Sequence, residues 1–174
     1  MVFNSKSLLR KIINSKVKAK AIVKGGKENK EIKGIVEFFD FGDTCIVLAN
    51  ITGLPKTATN FFGFHIHENG DCQGNFDNAG SHYGNEVHPN HKGDLPVLLS
   101  NNGNAFLLSA TNGFEIDEII NRSVIIHDEP DDYRTPPSGN SGKRIACGVI
   151  RKVWNYLKLF LWINYSRRKY SIPK

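Results

Sequence analysis

Six histidines are the residues of this chain most suited to chemistry, because they are gathered in two short stretches of the sequence. Five lie between residues 65 and 91, and the sixth ends an apolar run at residue 127. A lone histidine is usually a solvated or hydrogen-bonded side chain, but six of them clustered around irregular loop sequence indicate a metal site. The set comprises His65, His67, His82, His88, His91 and His127.

Two spacings within this set fit metal binding. His65 and His67 flank Ile66 in a run with strand character, so both imidazoles are expected on the same face. His88, His91 and Asp94 recur every three residues, a spacing that a turning loop can gather around one ion. Imidazole suits zinc and copper, and three histidines with one carboxylate make a plausible tetrahedral zinc set.

The surrounding sequence predicts short β-strands that would position these residues. Residues 16–24 alternate between lysine and apolar side chains, as a strand with one solvated face does. Further strand-like runs cover residues 32–39, 44–50, 61–68, 105–111, 123–127 and 145–153. Short helical turns are predicted only at 5–13 and 114–121. Many short strands separated by turn signals predict an all-β sandwich or barrel.

Two irregular segments interrupt these strands. Residues 69–96 and 128–144 show no hydrophobic period and are polar, with several glycines and prolines. Long irregular segments inside a compact domain are uncommon and usually functional. Since five of the six histidines lie in or beside the first segment, it is the predicted metal loop.

Length and charge restrict the class of protein. The chain has 174 residues, 40% of them hydrophobic, which fits one domain with tails and excludes a disordered chain. The formal net charge of +6 is uneven, with about +8 in residues 1–34, about +7 in 151–174 and about −9 between them. The acidic body argues against nucleic-acid binding. A basic-tailed adaptor that binds a membrane or nucleic acid through its ends stays an alternative.

Five motifs, in order along the chain, resemble those of the copper/zinc superoxide dismutases. The segment FHIHENGDC at 64–72 resembles the FHxHxxGD motif of that family. The segments AGSHY at 79–83, HKGDLP at 91–96 and SVIIH at 123–127 resemble the second, third and fourth motifs of the family. The segment GNSGKRIACGVI at 139–150 resembles its C-terminal signature. The resemblance extends from about residue 16 to residue 153. The short stretch between His82 and His91 is similar to that of compact bacterial members.

The resemblance implies a fold, an activity and cofactors. The fold would be an eight-stranded antiparallel Greek-key β-barrel, an immunoglobulin-like sandwich, with two long functional loops. The domain would cover residues 16–153, between a basic N-terminal arm at 1–15 and an apolar-basic tail at 154–174. The activity would be disproportionation of superoxide to oxygen and hydrogen peroxide, with one copper and one zinc per subunit, as a protection against oxidative stress.

The resemblance also implies the site residues. Copper would be bound by His65, His67, His82 and His127, and zinc by His82, His88, His91 and Asp94. His82 would bridge the two metals and carry a proton during catalysis. Asp131 would link the outer nitrogens of one ligand from each metal, Arg144 would guide the anionic substrate, and Cys72 would form a disulfide with Cys147.

Other predictions concern partners and location. Superoxide is the expected substrate, and family members are often homodimers. Residues 153–169 are apolar and then basic, which fits weak contact with a membrane surface, packing on the barrel or at a dimer contact, or a tail without a role. The apolar pairs at 8–9 and 12–13 are separated by Arg10 and Lys11, so no secretory signal is evident and a cytoplasmic location is predicted. Export or surface association is the alternative for the location, and a copper/zinc-binding relative without turnover is the alternative function.

Overall fold

The computed structural model of the chain describes residues 10–11 and 14–153. Its described part is built mainly from β-strands joined by long loops. The strands are β1 (Ala19–Gly25), β2 (Lys33–Asp40), β3 (Cys45–Thr52), β4 (Phe61–Phe62), β5 (Phe64–His67), β6 (Leu98–Leu99), β7 (Ala105–Thr111), β8 (Ser123–His127) and β9 (Arg144–Lys152). A 3-10 helix (Gly74–Ala79) and one short α-helix, α1 (Ile116–Ile119), complete the described elements.

Seven strands form one curled antiparallel sheet in the order β5-β8-β9-β1-β2-β3-β7, and β4 pairs with β6 in a second, small sheet. Strands β1, β2 and β3 follow one another as hairpins, and β9 returns from far along the chain to lie beside β1. Three consecutive strands with a distant fourth beside the first define a Greek key. The predicted all-β, antiparallel Greek-key fold is therefore confirmed.

The strand boundaries differ from the sequence prediction around Gly63. The run predicted as one strand over 61–68 is divided there into β4 and β5, and β6 adds a strand that the pattern did not indicate. Gly63 donates its N–H to the Glu129 carbonyl at 2.8 Å and accepts from the N–H of His127 at 2.9 Å. A Cβ at Gly63 would lie 2.9 Å from the Cβ of Ser141. The strand breaks because the second irregular segment approaches this backbone closely, which no local periodicity records.

The core lies inside the curled sheet and supports the histidine-bearing strands from behind. In β1, Ala19, Ala21 and Val23 are fully buried while the intervening residues are exposed, as the alternating pattern predicts. In β5 all four residues are buried. Phe64 and Ile66 join the hydrophobic core, so His65 and His67 project from the opposite face, and there the loops bury them.

A disulfide joins the first irregular segment to the sheet. Cys72 is bonded to Cys147 of β9, with their Cα atoms 5.8 Å apart. Ala79, Ile125 and Cys147 form a small buried cluster against which Cys72 and Phe76 pack. The predicted pairing is confirmed. Cys45 is a buried free thiol, and burial raises its pKa to about 12.

The ends of the chain fall largely outside this description. The helical turn predicted at 114–121 is present as α1, whereas the one predicted at 5–13 lies outside the described residues apart from Arg10 and Lys11. Residues 154–174, and with them nearly all of the predicted membrane contact at 153–169, also lie outside. Among the described residues, no helix has the length and apolar character needed to cross a membrane. The homodimer and the cytoplasmic location stay predictions.

Candidate metal centre

Four buried imidazoles converge on one side of the paired strands β5 and β8. We call His65, His67, His82 and His127 the four-histidine group. The first two lie on β5 and His127 ends β8, which pairs with β5, while His82 forms an isolated β-bridge with His67. Ring centroids are 3.9 Å apart for His65 and His82, and 4.9 Å apart for His67 and His82. One ring nitrogen from each residue lies within 4.8 Å of the other three.

The outer nitrogens of these rings are fixed by the surrounding chain. Nδ1 of His67 donates to the Gly80 carbonyl at 2.9 Å, and Nε2 of His65 donates to Oδ2 of Asp131 at 2.8 Å. Nδ1 of His127 lies 3.3 Å from Oγ of Ser141 and 3.4 Å from the carbonyl of Gly142. These contacts fix the orientation and tautomer of each ring, as metal-ligating histidines require.

The inner nitrogens face one another or have no hydrogen-bond partner. Nδ1 of His65 and Nε2 of His82 are buried and make no hydrogen bond. Nε2 of His67 and Nε2 of His127 face each other at 3.4 Å. A neutral imidazole that donates from its outer nitrogen carries its lone pair on the inner one. Four lone pairs therefore point into one buried space, which fits a metal such as copper that favours imidazole nitrogen.

Burial keeps His65, His67 and His127 in the neutral form that binds metal. Desolvation lowers the pKa of His67 to about 2 and holds the pKa values of His65 and His127 below the usual value for histidine. The positive charge of Arg144 lowers the pKa of His67 and of His127 further, although less than burial does. A neutral imidazole is ready to bind a cation because it has no proton to release first.

A second group is arranged around one carboxylate. We call His82, His88, His91 and Asp94 the Asp94 group. Oδ1 of Asp94 lies 2.8 Å from Nδ1 of His82, and Oδ2 lies 3.1 Å from Nδ1 of His91 and 3.2 Å from Nδ1 of His88. The Nδ1 atom of His88 is buried without a hydrogen bond. Three imidazole nitrogens and one carboxylate within 4.8 Å match the ligand set of tetrahedral zinc.

The carboxylate of the Asp94 group stays ionised. Burial acts to raise the pKa of Asp94, but the hydrogen bond from His82 and the nearby imidazoles outweigh it and hold the pKa below the usual value. The backbone N–H of His91 also donates to Oδ2 at 3.2 Å. Asp94 itself is tied to β5 through an isolated bridge to His65.

Asp131 connects the two groups through the backs of their rings. Its Oδ2 accepts from Nε2 of His65, and its Oδ1 lies 3.0 Å from Nε2 of His88. The backbone N–H of Tyr133 donates to Oδ1 at 2.7 Å. Gly139, with a φ of +63°, passes so close that a Cβ there would collide with Oδ1 and lie 2.8 Å from Nε2 of His88. The structure thus places Asp131 between the outer nitrogens of one histidine from each group.

Arg144 lies beside the four-histidine group. It begins β9 opposite His127, and it is half-buried. Its Nη1 donates to the Phe76 carbonyl at 2.6 Å and to the Asp77 carbonyl at 3.3 Å, and its Nη2 donates to the Gly80 carbonyl at 2.7 Å. The Gly80 carbonyl also accepts from His67. One backbone oxygen therefore fixes both the guanidinium and a ring of the four-histidine group.

The sequence prediction missed several supporting residues. Gly80 lies within a recognised motif, yet nothing in the sequence shows that its carbonyl serves both His67 and Arg144. Phe76 has a left-handed φ of 74°, rare for a residue with a side chain, in the turn that presents its carbonyl to Arg144. Ser141 also lies within a recognised motif, but its contact with His127 depends on how residues 128–143 fold back, which the motif does not show.

Comparison with known proteins gives a consistent assignment. Residues 32–150 match the family model described as Copper/zinc superoxide dismutase (SODC). The chain is 34% identical over 140 residues to Cu-Zn superoxide dismutase 2 of Aquifex aeolicus (strain VF5), covering 70% of this chain and 80% of the relative. It is 37% identical over 120 residues to the Cu-Zn superoxide dismutase of Legionella pneumophila, covering 61% of this chain and 70% of the relative.

A plant relative extends the match. Cu-Zn superoxide dismutase 3 of Arabidopsis thaliana is 32% identical over 153 residues, which cover 77% of this chain and 90% of the relative. The family-model match over residues 32–150 contains β5, β8, most of β9 and the loops that carry both histidine groups. From its fold, its site and these matches, the chain belongs to the copper/zinc superoxide dismutase family.

Proposed function

We propose that this protein is a superoxide dismutase that holds copper in the four-histidine group and zinc in the Asp94 group. The observation that carries the proposal is the placement of His82. Its Nδ1 faces Asp94, while its Nε2 is an unpartnered buried atom of the four-histidine group. One imidazole belonging to two ligand sets suits a deprotonated ring shared between two cations.

The reaction needs electron transfer, proton delivery and capture of an anion. When bound, copper supplies the one-electron redox couple, and zinc, which has no redox chemistry, supplies a fixed positive charge. Two superoxide anions and two protons yield one oxygen and one hydrogen peroxide. The chain's own residues must therefore deliver protons and orient a small anion.

His82 is the proton carrier in this proposal. Its Nδ1 is directed at Asp94, so a proton taken up by the ring goes to Nε2, on the side of the four-histidine group. The other three rings have their outer nitrogens bound to Gly80, Asp131, and Ser141 with Gly142. They are thus held as fixed ligands, and the role of exchanging a proton falls to His82.

Arg144 is the residue that would orient the anion. A guanidinium has five N–H donors in a rigid fork. Bonds to three carbonyls from Nη1 and Nη2 leave at least two of those donors free and hold the group beside His67. A permanent positive charge in a body with a formal charge of about −9 focuses small anions on that position.

The test is the decay of superoxide after pulse radiolysis, measured with the full chain loaded with one copper and one zinc. We expect rapid decay in proportion to bound copper, and a rate that falls as salt is raised because exposed charges are screened. Protein stripped of metal is the control. Full copper occupancy without dismutation would contradict the proposal and support the metal-binding alternative, which nothing in the site favours.

A further inference from the structure

We propose that Arg122 is a positioning residue for the shared His82, acting through the aromatic ring of Tyr83. Arg122 lies just before β8, 39 positions after Tyr83 in the sequence, and it makes no hydrogen bond with any of the six histidines. The inference rests on the proposed function to the extent that His82 is a ligand of both metals. It concerns what keeps that ring in place.

The backbone of Tyr83 is bound on both sides. Its N–H donates to the Ile66 carbonyl at 2.8 Å, and its carbonyl accepts from the N–H of Gly93 at 2.7 Å. The N–H of Ile66 in turn donates to the Gly93 carbonyl at 2.9 Å. These three bonds form a closed cycle among residues adjacent to His65, His67, His82 and Asp94. A shift of Tyr83 would therefore displace ligands of both groups.

The side chain of Tyr83 is covered by Arg122. The guanidinium carbon lies 3.6 Å from the centroid of the ring, within the range of a strong cation–π contact. Lys92 is farther away at 5.9 Å and about one-third exposed. Since distance and exposure weaken such contacts, Arg122 is the partner that holds the ring.

Arg122 is itself rigidly held. Its Nε donates to the Glu118 carbonyl at 2.8 Å, and its Nη1 donates to the Glu68 carbonyl at 2.9 Å. Glu68 follows His67 and pairs with Ser81, which precedes His82, through a backbone bond of 3.0 Å and a bond from the Ser81 N–H to the Glu68 carboxylate. One guanidinium thus joins the chain after His67 to the chain after His82. A planar fork does this, whereas a lysine ammonium would not.

The prediction is a coupled defect in both metal groups. Residues that orient metal ligands from behind change metal affinity by about 10–100-fold when they are replaced. Both Arg122→Met and Arg122→Lys should weaken binding of Co(II) to the Asp94 group at least about tenfold. They should also change the electron paramagnetic resonance spectrum of Cu(II) in the four-histidine group.

The experiment measures Co(II) binding by visible absorption and Cu(II) spectra on the full chain. Arg151→Met is the matched control, because Arg151 is exposed, binds the side chain of Asn121 near the same turn, and does not lie over the ring of Tyr83. Far-UV circular dichroism checks the fold of each variant. Arg122→Lys is included because it keeps the charge and the aliphatic stem, and therefore the best chance of folding if Arg122→Met does not.

Two outcomes would overturn the inference: Arg122 variants with wild-type affinity and spectra, or an equal defect in Arg151→Met. Neither readout requires turnover. A coupled defect in protein that does not dismute superoxide would keep the positioning role and reject the enzyme. If the enzyme is active and the Arg122 variants keep wild-type metal affinity and spectra, the enzyme activity is kept and the positioning role is rejected.

Discussion

The two ligand groups are held in different ways. In the four-histidine group, three of the four rings lie on β5 and β8, whose backbones are paired in the main sheet and backed by the core. In the Asp94 group, the ligands all come from residues 82–94, where the structure has no strand longer than an isolated bridge. Its cohesion comes from the carboxylate of Asp94, Asp131 behind His88, and the backbone bonds of Tyr83 and Gly93.

The difference indicates that the two groups depend on metal to different degrees. A group fixed by paired strands is preorganised before metal arrives, which suits a site where ligand geometry sets reactivity. A group fixed by one carboxylate and a few loop contacts gains order from its metal. His82 belongs to both groups, so order in the loop is passed to the four-histidine group through this residue.

Loss of the disulfide should have the largest effect on stability. Cys72 and Cys147 close a loop with a sequence separation of 75, for which the chain-entropy relation gives about 4–5 kcal/mol. We expect Cys72→Ser/Cys147→Ser to lower the free energy of urea unfolding of metal-free protein by about that amount. Cys45→Ala is the control, since that thiol is unpaired. A loss below about 1 kcal/mol would show that the bond does not constrain the fold.

Metal removal should change the rate of amide hydrogen exchange around the Asp94 group much more than around the four-histidine group. Without metal, amides in residues 82–94 should exchange at least about 100-fold faster than in loaded protein, because loops with few paired backbone groups open locally. Amides of β8 should keep their protection, since the ladder bonds of β8 to β5 and β9 do not depend on metal. Mass spectrometry of peptides from each region checks both statements. Equal loss of protection in the two regions would remove the distinction drawn between them.

Gly139→Ala should weaken the link between the groups. The added methyl would collide with the carboxylate of Asp131 and crowd His88, at a backbone φ of +63° that disfavours alanine. We expect zinc affinity to fall by about 10–100-fold, as for other residues behind a ligand. Gly42→Ala is the matched control, because Gly42 also has a positive φ but no neighbour within 4 Å of the added Cβ. Competition with a chelator gives the affinities, and equal losses in the two variants would assign the effect to strain alone.

Acid should destabilise the metal-free protein through the four-histidine group. The pKa values of His65, His67 and His127 are lowered by burial, so the unfolded state binds more protons as pH falls below about 6.5. Their contribution to stability is complete above that pH and is lost below it, with a slope of up to about 1.4 kcal/mol per pH unit for each ring. Urea unfolding from pH 8 to pH 4.5 measures the slope, and His127→Ala should reduce it. A slope unchanged by that substitution would contradict the assignment.

The sequence predicted the strands and the clustering of the histidines better than it predicted the contacts between loops. Alternation in β5 predicts that His65 and His67 share a face, because side-chain direction in a strand is a local property. The roles of Asp131 and the pairing of Cys72 with Cys147 came from family resemblance. The division of the strand at Gly63 and the stacking of Arg122 on Tyr83 depend on which distant segments meet, and hydrophobic period carries no such information.

The most direct test of the central claim is whether His82 is shared by the two groups. Filling both groups with Cu(II) and recording the electron paramagnetic resonance intensity answers this without any assay of turnover. A shared imidazolate predicts magnetic exchange between the ions and an intensity well below that of two isolated Cu(II) centres. With zinc in the Asp94 group, the signal should have the full intensity of one Cu(II). Two independent signals at full intensity would show that the groups are separate and would contradict the bridged centre.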